Sequence, residues 1–195
     1  MSKSDPAASK KERNKTIRWV VTIFFVTIFV SGAISFASDE LMAHSSTAVA
    51  FLILLFIVLL GIIFDIVGVA VTSAEEKPFH SMAARKVPGA QEAIRLLRNA
   101  ERVSSICNDV VGDICGVVSG SASATIAAQI LRNFDFSLPQ LVSLLMSALV
   151  AGLTVGGKAI GKTFAINSCT AIVHTAGKIV HYLRHFPALL KKKDH

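Results

Sequence analysis

The chain has 195 residues, 52% of them hydrophobic and only 17% charged, and its mean hydropathy is +0.59. That balance excludes both an ordinary water-soluble domain and a disordered polar chain. The net charge of +7 does not mark a nucleic-acid binder, because Lys and Arg flank apolar blocks and no basic groove with interleaved aromatics is visible.

Residues 1–17 are polar and carry Lys3, Lys10, Lys11, Arg13 and Lys15, which reads as a basic, disordered cytoplasmic tail. A block from Arg18 to Ala37 follows, long enough to cross a bilayer at about 1.5 Å per residue. Its small-residue end near Ala37 resembles a signal-peptide cleavage site. The apolar run exceeds the roughly 7–15 residues of a signal core, so a retained span is expected. The short segment 38–46 has Asp39 and Glu40 but no Lys or Arg, which puts it outside.

The second span is expected over about 47–72, with Asp65 as its acid and Gly61 and Gly68 on either side to allow close packing. Residues 73–102 carry Lys77, Arg85, Lys86, Arg95, Arg98 and Arg102, the mark of a cytoplasmic loop. Pro88-Gly89 signals a turn, and 90–102 then reads as a short amphipathic helix along the membrane surface. Ala93, Ile94, Leu96 and Leu97 form its apolar side; Gln91, Glu92, Arg95, Arg98 and Asn99 form the other.

The third span, about 103–130, is the most informative stretch. It carries Asp109 and Asp113 four residues apart on one helical face, and Gly112, Gly116 and Gly120 in a G-x-x-x-G-x-x-x-G array. Acids inside a span are costly and point to a functional site. Phe134 and Phe136 are expected as interface anchors in the next connection. Pro139 suits the first turn of a fourth span over about 139–157. Residues 164–186 alternate apolar and polar groups at helical spacing, which predicts a second interfacial helix, and 187–195 form a basic tail.

The expected fold is therefore an all-α membrane protein: four transmembrane helices plus amphipathic helices on the cytoplasmic side, multi-pass in the cell membrane, both termini cytoplasmic. The bilayer is its first partner. Cys107, Cys115 and Cys169 are an odd set with no disulfide framework and read as small buried residues. Gly156–Thr163, GGKAIGKT, matches a phosphate-loop pattern, yet a membrane-length block precedes it and no nucleotide-binding sheet follows, so no nucleotide is expected. His174 and His181 share a helical face without further metal ligands nearby. No nucleophile–base constellation appears, so no enzymatic activity is expected.

At about 1.5 Å per residue, Asp65, Asp109 and Asp113 fall at similar depth on helices running in opposite directions, with Lys158 within snorkelling reach. Several carboxylates in low dielectric need a cation, a proton or a lysine. The residues leave two readings open: a cation site formed by Asp65, Asp109 and Asp113 with Lys158 as a modulating charge, or a structural Asp–Lys clasp in a non-transporting scaffold or regulatory subunit.

The order of blocks over about Phe51–Leu183 resembles the transmembrane domain of the CNNM/CorB/CorC magnesium transporters. The likeness rests on Phe64-Asp65-Ile66-Val67-Gly68-Val69-Ala70, Asn99-Ala100-Glu101-Arg102, Asn108-Asp109-Val110-Val111-Gly112-Asp113 and Gly157-Lys158-Ala159-Ile160-Gly161-Lys162. These stand where the family has its F-S-x-x-E-T-A-like, N-P-E-R-like, G-N-x-x-x-N and G-E-x-x-P-K elements. On that mapping Asp65 replaces the family's serine, Asp109 and Asp113 its asparagines and Lys158 its glutamate. The resemblance implies transport of Mg2+ or another cation, an amphipathic belt helix and a homodimer, without the cytoplasmic CBS-pair domain.

Overall fold

The computed structural model describes residues 6–43, 45–133 and 138–191. Phe134 and Phe136, expected as interface anchors, lie outside the described residues, as do Lys192 and Lys193. The described chain is built of helices: α1 (Pro6–Ala43), α2 (Thr47–Ser73), α3 (Lys77–Ala84), α4 (Ala90–Arg98), α5 (Ala100–Ser104), a π-helical segment (Ser105–Val111), α6 (Gly112–Asn133), α7 (Pro139–Asn167) and α8 (Cys169–Lys191). An all-helical fold follows from the composition, because in hydrocarbon a helix satisfies its backbone polar groups within itself.

Four helical stretches are long and apolar enough to cross a membrane: Ile17–Met42, Thr47–Ser73, Ala100–Asn133 and Pro139–Asn167. Their outward side chains fit that setting. Phe29 is 79% exposed, Phe36 74% and Ile160 76%, an arrangement that suits lipid and not water. The basic tail expected over 1–17 is helical from Pro6 onward, continuous with the first span.

α2 is the hub, in contact with α1, α4, α5, the π segment, α6, α7 and α8. Two apolar clusters lie along its first half. One joins Ala50, Leu54 and Val58 to Met42, Ala122, Ile126, Ala127, Met146 and Val150. The other joins Ile57 to Ile114, Cys115 and Val118. A further cluster closes the opposite, basic end, where Ala70 and Val71 meet Phe79, Ala93, Leu97, Ala165 and Val173. Asp65 falls between these apolar layers.

Glycine sets how closely α2 is approached. A β-carbon at Gly61 would stand 2.9 Å from Cys115 Cβ, and one at Gly161 2.8 Å from Ile66 Cγ1. Gly157 meets Ile62 in the same way. This explains the main boundary difference from the sequence expectation. The glycines at 156–161 do not end the fourth span; two of them seat α2 side chains, and α7 runs on to Asn167. The amphipathic helix accordingly begins at Cys169, not at 164. The GGKAIGKT segment is continuous α-helix and forms no phosphate-cradling loop. In the third span only Gly112 is closely approached. Gly116 and Gly120 have open space where a β-carbon would stand.

The basic end carries a helical collar. α3 packs on α4, α4 on α8 and α8 on α2. Glu76 ties the collar together, accepting from His80 Nε2 at 3.1 Å and meeting Arg98 Nε at 3.7 Å. α4 and α8 touch backbone to backbone. Gly89 adopts φ +83, reached without strain by glycine, and a β-carbon there would lie 2.6 Å from Lys178 N. Across the same crossing, a β-carbon at Gly177 would lie 2.5 Å from Gly89 O.

This approach corrects one expectation. Glu92 does not lie on the outer side of its helix but is 7% exposed, because the glycine crossing brings α8 over it. Its carboxylate meets His181 Nδ1 at 3.4 Å and Arg95 Nη1 at 3.9 Å. Burial alone pushes the Glu92 carboxyl up. The backbone hydrogen bond, the His181 imidazole and Arg95 outweigh it and hold the group below its ordinary value of 4.5. A carboxyl depressed in the fold contributes stability above its unfolded value, and that stability is lost as pH falls through the lower folded value. Hydrogen exchange in α8 is therefore expected to accelerate on acidification below about pH 4.5, relative to α2. Glu92→Gln is expected to remove that step; an unchanged acid step in the variant would refute the assignment.

Candidate functional site

The site is assembled from three helices. On α2, Gly61, Asp65 and Gly68 fall on one face at spacings of four and three and are all buried. Opposite them, the third span changes from α- to π-helix over Ser105–Val111. Single π turns within α-helices occur often at functional sites. The third contributor is Lys158 on α7.

Lys158 Nζ lies 3.7 Å from Asp65 Oδ1. A β-carbon at Gly112 would stand 3.3 Å from the same nitrogen, so the ammonium rests where a larger residue would crowd it. Asp65 is 5% exposed, and its second oxygen, Oδ2, has no hydrogen-bond partner among the described residues. At 3.7 Å the pair is an ionic contact and not a close hydrogen bond. The two charges cancel, which is what permits a carboxylate at this depth.

One turn along α2, the amide of Asn108 packs over Gly68 with no space for a side chain there. Asn108 Nδ2 donates to Ser104 Oγ at 3.2 Å. Asn108 Oδ1 is buried without a partner among the described residues. The same segment holds Asp109, whose Oδ2 accepts from Ser105 Oγ at 2.8 Å. The third span thus carries two side-chain pairs next to each other, Asn108 Nδ2 donating to Ser104 Oγ and Ser105 Oγ donating to Asp109 Oδ2.

The sequence candidates divide. Asp65 and Lys158 are brought together. Asp109 and Asp113 stand exposed on α6 and the π segment, and neither has a cationic partner among the described residues. Among the described residues no group of three or more His, Cys, Asp or Glu side chains is placed to hold a metal ion. Oxygen ligands for a hard cation near Asp65 would instead come from Asp65 Oδ2 and Asn108 Oδ1, the two unpartnered oxygens. Asn108 was not singled out by the reading of acids in spans, because a neutral amide costs less to bury than a charge. Its signal was the Ser104–Asn108 spacing of four residues, opposite an α2 glycine. Ser105 and Asp109 repeat that spacing.

Fold and site together define an all-helical protein, compatible with an integral membrane protein, with an Asp–Lys ion pair held beside a π turn. Searches with the chain find no matching family model, no matching curated protein and no matching solved structure.

Proposed function

We propose that the chain is a cation-handling membrane domain of the kind its resemblance to the CNNM/CorB/CorC transporters implies, with Lys158 standing as a tethered cation against Asp65. The basic end faces the cytoplasm, by the distribution of Lys and Arg, and the working unit is a homodimer in the cell membrane. The observation that carries this reading is the buried ion pair at 3.7 Å with two unsatisfied oxygens, Asp65 Oδ2 and Asn108 Oδ1, beside it. A Mg2+-type ion, taken as substrate, would be met by those oxygens once the flexible lysine withdraws. Asp109 and Asp113, exposed on the third span at about the depth of Asp65, would draw cations toward them.

Flux into liposomes is the test. Full-length protein is expected to admit Mg2+ or another common cation above protein-free vesicles. Asp65→Asn is expected to cut the rate roughly tenfold or more, since it removes the charged ligand. The double variant Asp109→Asn with Asp113→Asn is expected to lower the rate at low ion concentration. A second reading, a non-transporting scaffold or regulatory subunit, is favoured by the mutual neutralisation of Asp65 and Lys158. It would be the right one if no cation moved and the variants altered only stability.

A further inference from the structure

The end of the molecule opposite the basic collar holds a polar pocket of about 400 Å3, lined by Ser45, Ser46, Thr47, Gln129, Arg132 and Asn133. It lies about 27 Å along α2 from Asp65, counting 18 residues from Thr47, and shares no residue with the Asp65–Lys158 site.

Three observations give it a definite chemistry. First, it sits at the N-terminus of α2, a helix of 27 residues, whose N-cap residue Ser46 makes no side-chain cap hydrogen bond. The Ala50 N–H is satisfied by Ser46 O. The earlier N–H groups of the first turn have no intrahelical acceptor, and the helix dipole places partial positive charge there. Second, Arg132 lines the pocket and supplies a full positive charge in a planar fork suited to an oxyanion. The acids at the same end of α1, Asp39 and Glu40, do not line it, and Asp39 accepts instead from Ser121 Oγ at 3.3 Å.

Third, Gln129 is 7% exposed and faces the pocket with half of its amide unused. Its Nε2 donates to Met42 O at 2.9 Å, which fixes the orientation of the amide. Its Oε1 is buried and has no partner among the described residues. A buried acceptor left open costs free energy unless a donor meets it. An anion alone would satisfy Arg132 and the helix end but not Gln129.

We propose that this pocket binds a phosphate group that carries a hydrogen-bond donor. The phosphate oxygens sit between the α2 N-terminus and Arg132, and the donor reaches Gln129 Oε1. Two sources share this chemistry: a phospholipid headgroup with a hydroxyl, and inorganic phosphate in its protonated form. The position at the end of a membrane-length helix, where lipid phosphates lie, suits the first.

The test uses the full-length protein. In non-ionic detergent it is dialysed against radiolabelled inorganic phosphate. In nanodiscs of phosphatidylcholine with and without phosphatidylglycerol, retained lipid is read by native mass spectrometry after extraction. Saturable uptake of inorganic phosphate assigns the free anion. Selective retention of phosphatidylglycerol without such uptake assigns the headgroup. Arg132→Gln is expected to weaken either binding roughly tenfold or more, the worth of a charge-assisted contact. Ser46→Asp keeps the proposal falsifiable apart from folding. Aspartate is a good N-cap, so the variant should hold or raise thermal stability while its charge repels the phosphate. Binding of neither probe, or equal binding by wild type, Arg132→Gln and Ser46→Asp, would overturn the proposal.

Discussion

Lys158→Met is expected to destabilise the fold by about 3–5 kcal/mol, the usual cost of removing one partner of a buried ion pair. The methionine fills similar volume, so the loss comes from charge and not from packing. Asp65, 5% exposed and already short of a partner at Oδ2, would be left as an uncompensated carboxylate between apolar layers. The double variant Asp65→Asn with Lys158→Met is expected to recover most of that loss, because a neutral amide costs far less at that depth. Denaturant unfolding in detergent micelles provides the comparison. If the single lysine variant is as stable as wild type, the ammonium does not neutralise Asp65 and the pairing argument fails.

The second large effect is expected at the crossing of α4 and α8. Gly177→Ala would place a β-carbon 2.5 Å from Gly89 O and 2.9 Å from Ala93 N, both backbone atoms that cannot rotate away. Gly89→Ala would add the strain of a non-glycine residue at φ +83, about 1–3 kcal/mol by itself. Each is expected to cost about 3 kcal/mol locally, from strain, overpacking or both, and to lift α8 off the collar. Limited proteolysis within α8 reads this directly. Gly116→Ala and Gly120→Ala are the matched controls, since nothing lies within 4 Å of a β-carbon at either site. Alanine there should be neutral or slightly stabilising, by its helix propensity. Loss of α8 protection in the controls, or none in Gly177→Ala, would count against close backbone contact as the cause.

Much of the architecture was legible from apolar block length alone, because a membrane-length run has few alternatives to a helix. Asp65 stood out for the same reason: an acid in an otherwise uncharged run is visible without any structure. The meeting of Asp65 with Lys158 was within reach, since counting residues placed Asp65 in the inner half of its span and Lys158, at the inner end of the fourth, within snorkelling distance of it. Other features were hidden. Two helices can carry matching small residues while only one set is used, which is why the array at Gly112, Gly116 and Gly120 suggested more packing than Gly112 alone provides. Glu92 was assigned to the polar side of α4 by composition, and only the backbone contact through Gly89 and Gly177 shows that this one position of that side is covered, while Gln91, Arg95, Arg98 and Asn99 stay exposed. The Gln129 pocket escaped notice because its elements lie far apart in the sequence, joined by the bond from Gln129 to Met42.

The π segment of the third span bears on how this chain can be aligned with others. A π turn closes its hydrogen bonds over five residues in place of four. The span therefore holds about one residue more than a regular α-helix covering the same rise. Residues before Ser105 and after Val111 are out of phase with each other by that residue. A pattern counted across the segment at a fixed spacing of four will assign Asp109 and Asp113 to a common face that the backbone does not keep in a regular way. Gain or loss of a single residue between Ser105 and Val111 is the length change that either helical end can absorb, and it falls where Asn108 and Asp109 are held.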